Sequence, residues 1–278
     1  MKTSVRAAAM ATALAGGALT LFAQWPTYVD GAPRTPDGKP DLTAPTPRTP
    51  DGHPDFTGTW DLARPAGRGG GRGKQAPAPS QPSEGPPAAT FFNIGAGFKE
   101  GLPLQPWAAE LLNKRRADNS KDNPDAHCLP MGLMQFHEHP QPRKIVQTPK
   151  LMVMIYEANN GLRQIYLDGR SLPGNDPDPW WYGYSIGHWE GDDLVVETTG
   201  YRDDVWLDVW GSPMTSAGKT IERFRRPNYG TMQIDVTIDD PKAYTKPFTV
   251  RVNHRLSPGN ELIEFICQDR DAQHYVGK

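Results

Sequence analysis

From residue 143 onward, apolar and polar residues alternate in short runs. KIVQT, LMVMIYEA, RQIYLD, YSIGHW, DLVVETT, KTIERFRR, TMQIDVTID, FTVRVNHRL and ELIEFICQ each read as a β-strand. Turn residues stand between them: Pro-Lys, Asn-Asn-Gly, Asp-Gly, Gly-Asp, Asn-Tyr-Gly, Asp-Asp-Pro and Pro-Gly-Asn. The clearest stretch is SIGHWEGDDLVVETTGY, residues 185–201, in which apolar and β-branched residues flank a Gly/Asp turn as in a β-hairpin. No helical period interrupts the series. The pattern predicts an antiparallel meander closed into a barrel, or else a sandwich. A barrel of about eight strands is the smallest that holds a ligand, and the series reaches that number.

The segments before residue 143 read differently. PWAAELLNKRRA, residues 106–117, predicts one helix, packed outside the strands. Pro106 suits its first turn, Trp107, Leu111 and Leu112 form an apolar stripe, and Lys114, Arg115 and Arg116 suit the negative end of its dipole. Residues 24–90 form a Pro/Gly-rich arm and linker, within which GTWDL (58–62) is a candidate first strand. The arm holds a near-duplication, PRTPDGKPDLT from Pro33 and PRTPDGHPDFT from Pro47, read as paired Pro-Asp-Gly turns because two short copies cannot build a repeat core. The run RPAGRGGGRGKQAPAPSQPSEGPP, 64–87, has too little apolar surface to fold. Residues 91–278 are the expected barrel domain.

The first 23 residues, MKTSVRAAAMATALAGGALTLFA, begin positive at Lys2 and Arg6 and continue apolar, the pattern of a Sec signal peptide cleaved after Ala23. That places the mature chain in the periplasm or outside the cell, with no stable membrane insertion. The 278 residues carry a net charge of −2, which offers no broad electrostatic case for nucleic acid or an anionic membrane. Two cysteines, Cys128 and Cys267, read as a disulfide in an oxidising compartment, against two buried free thiols. Closing a loop of that length is worth roughly 5 kcal/mol of chain entropy.

The stretches TPDGHPDFTGTW, LPLQPWA, CLPMG, RKIVQTP, RQIYLDGR, GYSIGHWEGDDLVVETT, ERFRR and TIDDPKAYTKP, in that order, resemble a large group of exported bacterial proteins. The resemblance covers residues 47 to the C-terminus and implies a β-rich, lipocalin-like barrel. No activity is established for that group, so no catalytic residue carries over. His188 stands where Arg is expected in the group, so it is not carried over as a group residue.

Several motifs suggest chemistry and are weighed on the residues alone. Gly183-Tyr184-Ser185-Ile186-Gly187 matches the nucleophile elbow, but a Pro/Trp loop precedes it and a hairpin follows, so Ser185 reads as a strand residue. Arg68 to Lys74 lacks the first glycine and the Ser/Thr of a phosphate loop. His137 and His139, two apart on an extended strand, would point the same way and are candidate metal ligands. No nicotinamide, flavin or nucleotide motif is visible, and no cofactor is expected.

Charges inside the apolar strands carry more. Alternation puts Arg163 with Ile165, Glu222 with Phe224, His254 with Val252, and Glu264 with Ile266. A buried charge needs a partner, so Arg163 is expected to pair with Glu222 or Glu264. Candidate acids and bases are Glu222, Glu264, His188 and His254, with Arg163 stabilising charge and Tyr166 donating a hydrogen bond. Trp180, Trp181, Tyr182, Tyr184, Trp189 and Trp206 are candidate ligand-binding aromatics at a barrel mouth, with residues 200–220 as a lid. The leading reading is an exported enzyme performing cofactor-independent acid/base chemistry of lyase, hydrolase or isomerase type on a small organic molecule. The alternatives are a lipocalin-like carrier of a small apolar or aromatic ligand, and an envelope protein that docks a partner through its arm.

Overall fold

The computed structural model describes residues 31–63, 85–174, 178–265 and 267. The expected signal peptide and residues 64–84 of the low-complexity run lie outside the described residues. The elements in chain order are β1 (Gly58–Leu62), α1 (Pro106–Ala117), α2 (Leu133–Glu138), β2 (Arg143–Gln147), β3 (Leu151–Tyr156) and β4 (Leu162–Tyr166). There follow β5 (Tyr184–Glu190), β6 (Asp193–Thr199), β7 (Val205–Trp206), β8 (Pro213–Met214), β9 (Lys219–Asn228), β10 (Thr231–Asp239) and β11 (Phe248–Leu256).

Alternation in the sequence becomes alternation in burial. Along β10 and β11 every second residue is buried, and Ile234, Val236, Val250 and Val252 are sealed from solvent. Nine strands turn this one-sided burial into a closed lipocalin-like barrel in the order β1-β2-β3-β4-β5-β6-β9-β10-β11. β1 closes it by pairing with β2 on one side (Gly58 opposite Ile145) and β11 on the other (Trp60 opposite Leu256). Each pair is antiparallel except β4–β5, where Ile165 faces Ser185 in a parallel contact. The long connection between these two strands lets the chain return to the same end and run in the same direction.

ELIEFICQ is not a strand among its described residues. Residues 261–265 come after β11 outside the sheet, and Ile263 is 72% exposed. The reason is closure: β1 already occupies the free edge of β11, so no backbone donors remain for another strand. β7 and β8 pair as a small separate ribbon inside the expected lid.

The barrel is plugged at both ends. At the end carrying the β5–β6 and β9–β10 turns, called lower here, the duplicated arm docks twice. Both copies make the same turn: the Gly38 and Gly52 amides donate to Thr35 and Thr49 carbonyls, and both glycines have positive φ (79° and 89°). The first copy lies on the β9–β10 turn, where Gly230 donates to the Leu42 carbonyl at 2.8 Å. The second lies on the β5–β6 turn. There Arg48 grips Asp192 with two 2.7 Å bonds, and the His53 ring lies flat on Trp189, centres 4.3 Å apart. Phe56 then enters the core against Phe224.

At the upper end, α2 enters the barrel. All six of its residues are buried, which makes it a core helix with no solvent face. Phe136 stacks on Tyr156 at 4.4 Å, and Gly161 packs so closely on Phe136 that a Cβ there would lie 2.6 Å from its ring. Gln135 is satisfied by the Met131 and Trp206 carbonyls. α1 lies outside, as expected, but its buried residue is Ala108; Trp107 is largely exposed and donates its indole N–H to the Lys242 carbonyl. Cys128 and Cys267 form a disulfide with Cα atoms 5.6 Å apart. Among the described residues no helix is long and apolar enough to cross a membrane.

Candidate functional site

Four strands and the plug helix bring polar and charged side chains together in the upper half of the barrel. β9 alternates Thr220, Glu222 and Phe224 inward, β4 turns Arg163 inward with Ile165, and β5 and β6 contribute Ser185 and Thr198. The Arg163 guanidinium grips both oxygens of Glu222, with Nη1 to Oε1 at 2.9 Å and Nη2 to Oε2. Its remaining donors reach Ser185 Oγ (3.2 and 3.0 Å) and Thr198 Oγ1 (3.1 Å). From α2, His137 Nε2 meets Glu222 Oε1 at 2.7 Å. Glu222, His137 and Arg163 have essentially no exposed side-chain surface.

Burial alone would push the Glu222 carboxyl up, but Arg163 and His137 outweigh it and hold the group at about 2. Glu222 is therefore a carboxylate, and its oxygen can only accept. His137 Nε2 must carry the proton it donates. Burial lowers the His137 pKa against the pull of Glu222, so the ring is neutral and Nδ1 holds a bare lone pair. A buried carboxylate that fixes an imidazole's tautomer and orientation leaves the opposite nitrogen able to accept a proton.

A second histidine repeats this arrangement. His254 on β11 donates from Nε2 to the His137 carbonyl at 3.0 Å, and burial with Arg143 holds its pKa well below the ordinary value. Its Nδ1 is bare as well. The two rings lie 6.2 Å apart. The same carbonyl accepts from Arg143 Nη1 at 3.2 Å, while Arg143 Nη2 donates to the His139 and Gln141 carbonyls. His137 Nδ1, His254 Nδ1 and Arg143 Nε are buried and have no hydrogen-bond partner among the described residues. Three residues joined through one carbonyl oxygen thus present two acceptors and one donor. Each such atom left unbonded costs about 1–3 kcal/mol. The Glu138 side chain, next on the helix, makes no hydrogen bond among the described residues, and burial raises its carboxyl to about 7.

The expected pairing of Arg163 with Glu222 is present, and His254 joins the same cluster. The other candidates lie elsewhere. Glu264 is exposed beyond β11. His188 is exposed on the outer face of β5, one residue out of phase with Ser185, and contacts Glu190 at 3.3 Å. Tyr166 comes directly after inward Ile165 and so points outward, stacked on Tyr184 with Arg170 over its ring. His137 and His139 are not on a strand. Helix α2 turns His137 to Glu222, while His139 packs on Phe91 and accepts from the Gln141 amide at Nδ1. Among the described residues no group of three or more His, Cys, Asp or Glu is arranged around a metal.

The aromatics do not form one mouth. Trp180 and Trp181 precede β5 at the upper rim, with Arg202 over Trp181, and Tyr182 packs on Phe136. Trp189 lies at the far end of β5, against His53 and Phe56. Trp206 is buried under Arg115 of α1.

Sequence reasoning missed three members of the cluster. Arg143 shares a strand face with Ile145, so alternation could have found it. His137 as partner of Glu222, and Glu138 beside it, required knowing that α2 enters the barrel. Comparison with protein families, with curated proteins and with solved structures finds no match to this chain.

Proposed function

We propose that the upper interior of the barrel takes up a small polar organic molecule and that His137 exchanges a proton with it, without a nucleotide cofactor. The observation that carries this reading is the pairing of His137 Nε2 with ionised Glu222 while His137 Nδ1 stays bare, with a second imidazole of bare Nδ1, His254, 6.2 Å away between ring centres. Glu222 orients the ring, Arg163 fixes Glu222 and balances its charge, and Arg143 offers a donor to the guest. A guest that donates twice and accepts once completes the hydrogen bonding of the three orphaned atoms. Glu138, held at about 7 by burial, is poised to share protons near neutrality. The Cys128–Cys267 disulfide supports residence in an oxidising compartment, as the N-terminal pattern suggests.

One observation favours a carrier over an enzyme: α2 is buried on every side and would slow exchange of any guest. The arm, engaged with the barrel's own turns, supports the interior over the arm as the functional element.

The test is side-chain ¹⁵N NMR of the folded protein titrated with glycolate, acetate and acetamide. The expected result is a shift of the His137 and His254 Nδ1 resonances with acetamide, which donates twice and accepts once, and little shift with acetate, which has no donor; His137→Asn is expected to abolish the shift at His254. If none of the three moves either resonance, the interior is closed to small polar guests and the reading fails.

A further inference from the structure

A second site stands outside the barrel, independent of the interior cluster. Between α1, the turn after it and β7 lies a pocket of about 260 Å³, lined in part by Leu111, Lys114, Arg115, Lys121 and Trp206. Its volume is just below the range of drug-sized ligand pockets, so it suits a molecule of only a few heavy atoms.

Arg115 is the element that gives the pocket chemistry. Its guanidinium carbon lies 4.2 Å from the centre of the Trp206 ring, and its Nη1 donates to the Gly211 carbonyl at 2.8 Å. No other hydrogen bond and no carboxylate partner is made by this guanidinium among the described residues, so the Nε–Nη2 edge is free. That edge is one of the forks that grip a carboxylate with two parallel bonds. The placement is built by backbone: Gly211 has φ of +98°, and a Cβ there would lie 2.5 Å from Arg115 Cδ and 3.1 Å from the Trp206 ring. Burial draws Arg115 down to about 10, so it remains a cation at neutral pH.

The remaining charges set the valence. Asp118 and Asp122 also line the pocket, but Asp122 is engaged by Lys121 at 3.1 Å. Among the lining residues Lys114 and Arg115 then stand against Asp118, an excess of one positive charge that the buried Asp208 behind Gly211 partly offsets at Arg115. The carbonyl end of α1 adds negative potential, which disfavours a second negative charge on a ligand.

We infer that this pocket binds a small organic monocarboxylate, with the carboxylate on the Nε–Nη2 edge of Arg115 and its apolar body against Leu111. The guanidinium is held between Trp206 and the Gly211 carbonyl, so little rotamer freedom is lost on binding.

Isothermal titration of the full chain at pH 7 and low salt, with propionate, propionamide and inorganic phosphate as probes, tests this. Propionate is expected to bind, with the neutral amide and the phosphate at least about tenfold weaker. Arg115→Met is expected to abolish propionate binding, and Arg115→Lys to weaken it several-fold by removing the fork. Should Arg115→Met lose its fold by circular dichroism, Leu111→Trp serves instead: it fills the pocket, leaves Arg115 in place and is expected to block propionate. Absence of propionate binding to the native chain would overturn the inference. So would equal binding of propionamide or phosphate, or undiminished binding by a folded Arg115→Met or Leu111→Trp variant.

Discussion

Arg163 and Glu222, 59 residues apart in sequence and on strands that do not pair, meet in a two-pronged ion pair sealed inside the barrel. Taking both charges out of water costs several kcal/mol per ion, and the pair recovers this only because every Glu222 oxygen and most Arg163 donors are bonded. Breaking one side is therefore worse than removing both. Glu222→Gln leaves Arg163 buried without a counter-charge and is expected to cost about 3–5 kcal/mol. The Arg163→Leu/Glu222→Leu double variant is expected to cost less than the two single losses added together. Urea denaturation of the native protein, Arg163→Leu, Glu222→Leu and the double variant measures the coupling.

Glu138 makes stability depend on pH in one direction. Burial raises its carboxyl from 4.5 to about 7, opposed by Arg143. A carboxyl that holds its proton more tightly when folded contributes stability in full below about 4.5, and that contribution is lost as pH rises through 7. The loss is at most about 3 kcal/mol at 1.36 kcal/mol per pKa unit. The buried histidines act oppositely. His139 is lowered to about 4, and His137 and His254 are also lowered, so their contribution is lost as pH falls below 6.5. Glu138→Gln is expected to raise the melting temperature at pH 8 and leave it little changed at pH 5.

The two copies of the arm repeat make the same turn but anchor their next apolar residue differently. Phe56 is fully buried against Phe224, whereas its counterpart Leu42 is only half-buried beside Gly230. Phe56→Ala is expected to cost about 3–5 kcal/mol, the usual figure for an emptied aromatic site. Leu42→Ala is expected to cost clearly less, and chemical denaturation ranks the two.

The disulfide joins the segment leading into α2 to the chain beyond β11. Among the described residues that C-terminal segment is otherwise held by few hydrogen bonds, including the Ile263 amide to Glu157 and Asn160 to the Phe265 carbonyl. Replacing both cysteines with serine is expected to cost about 2–5 kcal/mol. Thermal melts with and without reductant measure it.

Period made much of the barrel legible in the sequence. Strands such as TMQIDVTID and FTVRVNHRL bury alternate residues on one face, so their inward set, with Glu222, Arg163 and His254 among it, could be read from spacing alone. ELIEFICQ carried the same spacing, yet barrel closure by β1 left it no partner, and pairing is a property of the whole sheet. LMQFHE gave no helical signal because a six-residue helix buried all round has no polar face to contrast with its apolar one. The His137–Glu222 contact depended on that helix, so the centre of the site was hidden while its walls were visible.

Proton exchange at His137 requires the ring to be held as the Nε2–H tautomer with Nδ1 free. Side-chain ¹⁵N correlation spectra at pH 7 report this directly for each imidazole. The prediction is that His137 and His254 are both neutral, with the proton on Nε2 and the ¹⁵N shift of an unprotonated nitrogen at Nδ1. A proton on His137 Nδ1, whether as the other tautomer or as imidazolium, would contradict it.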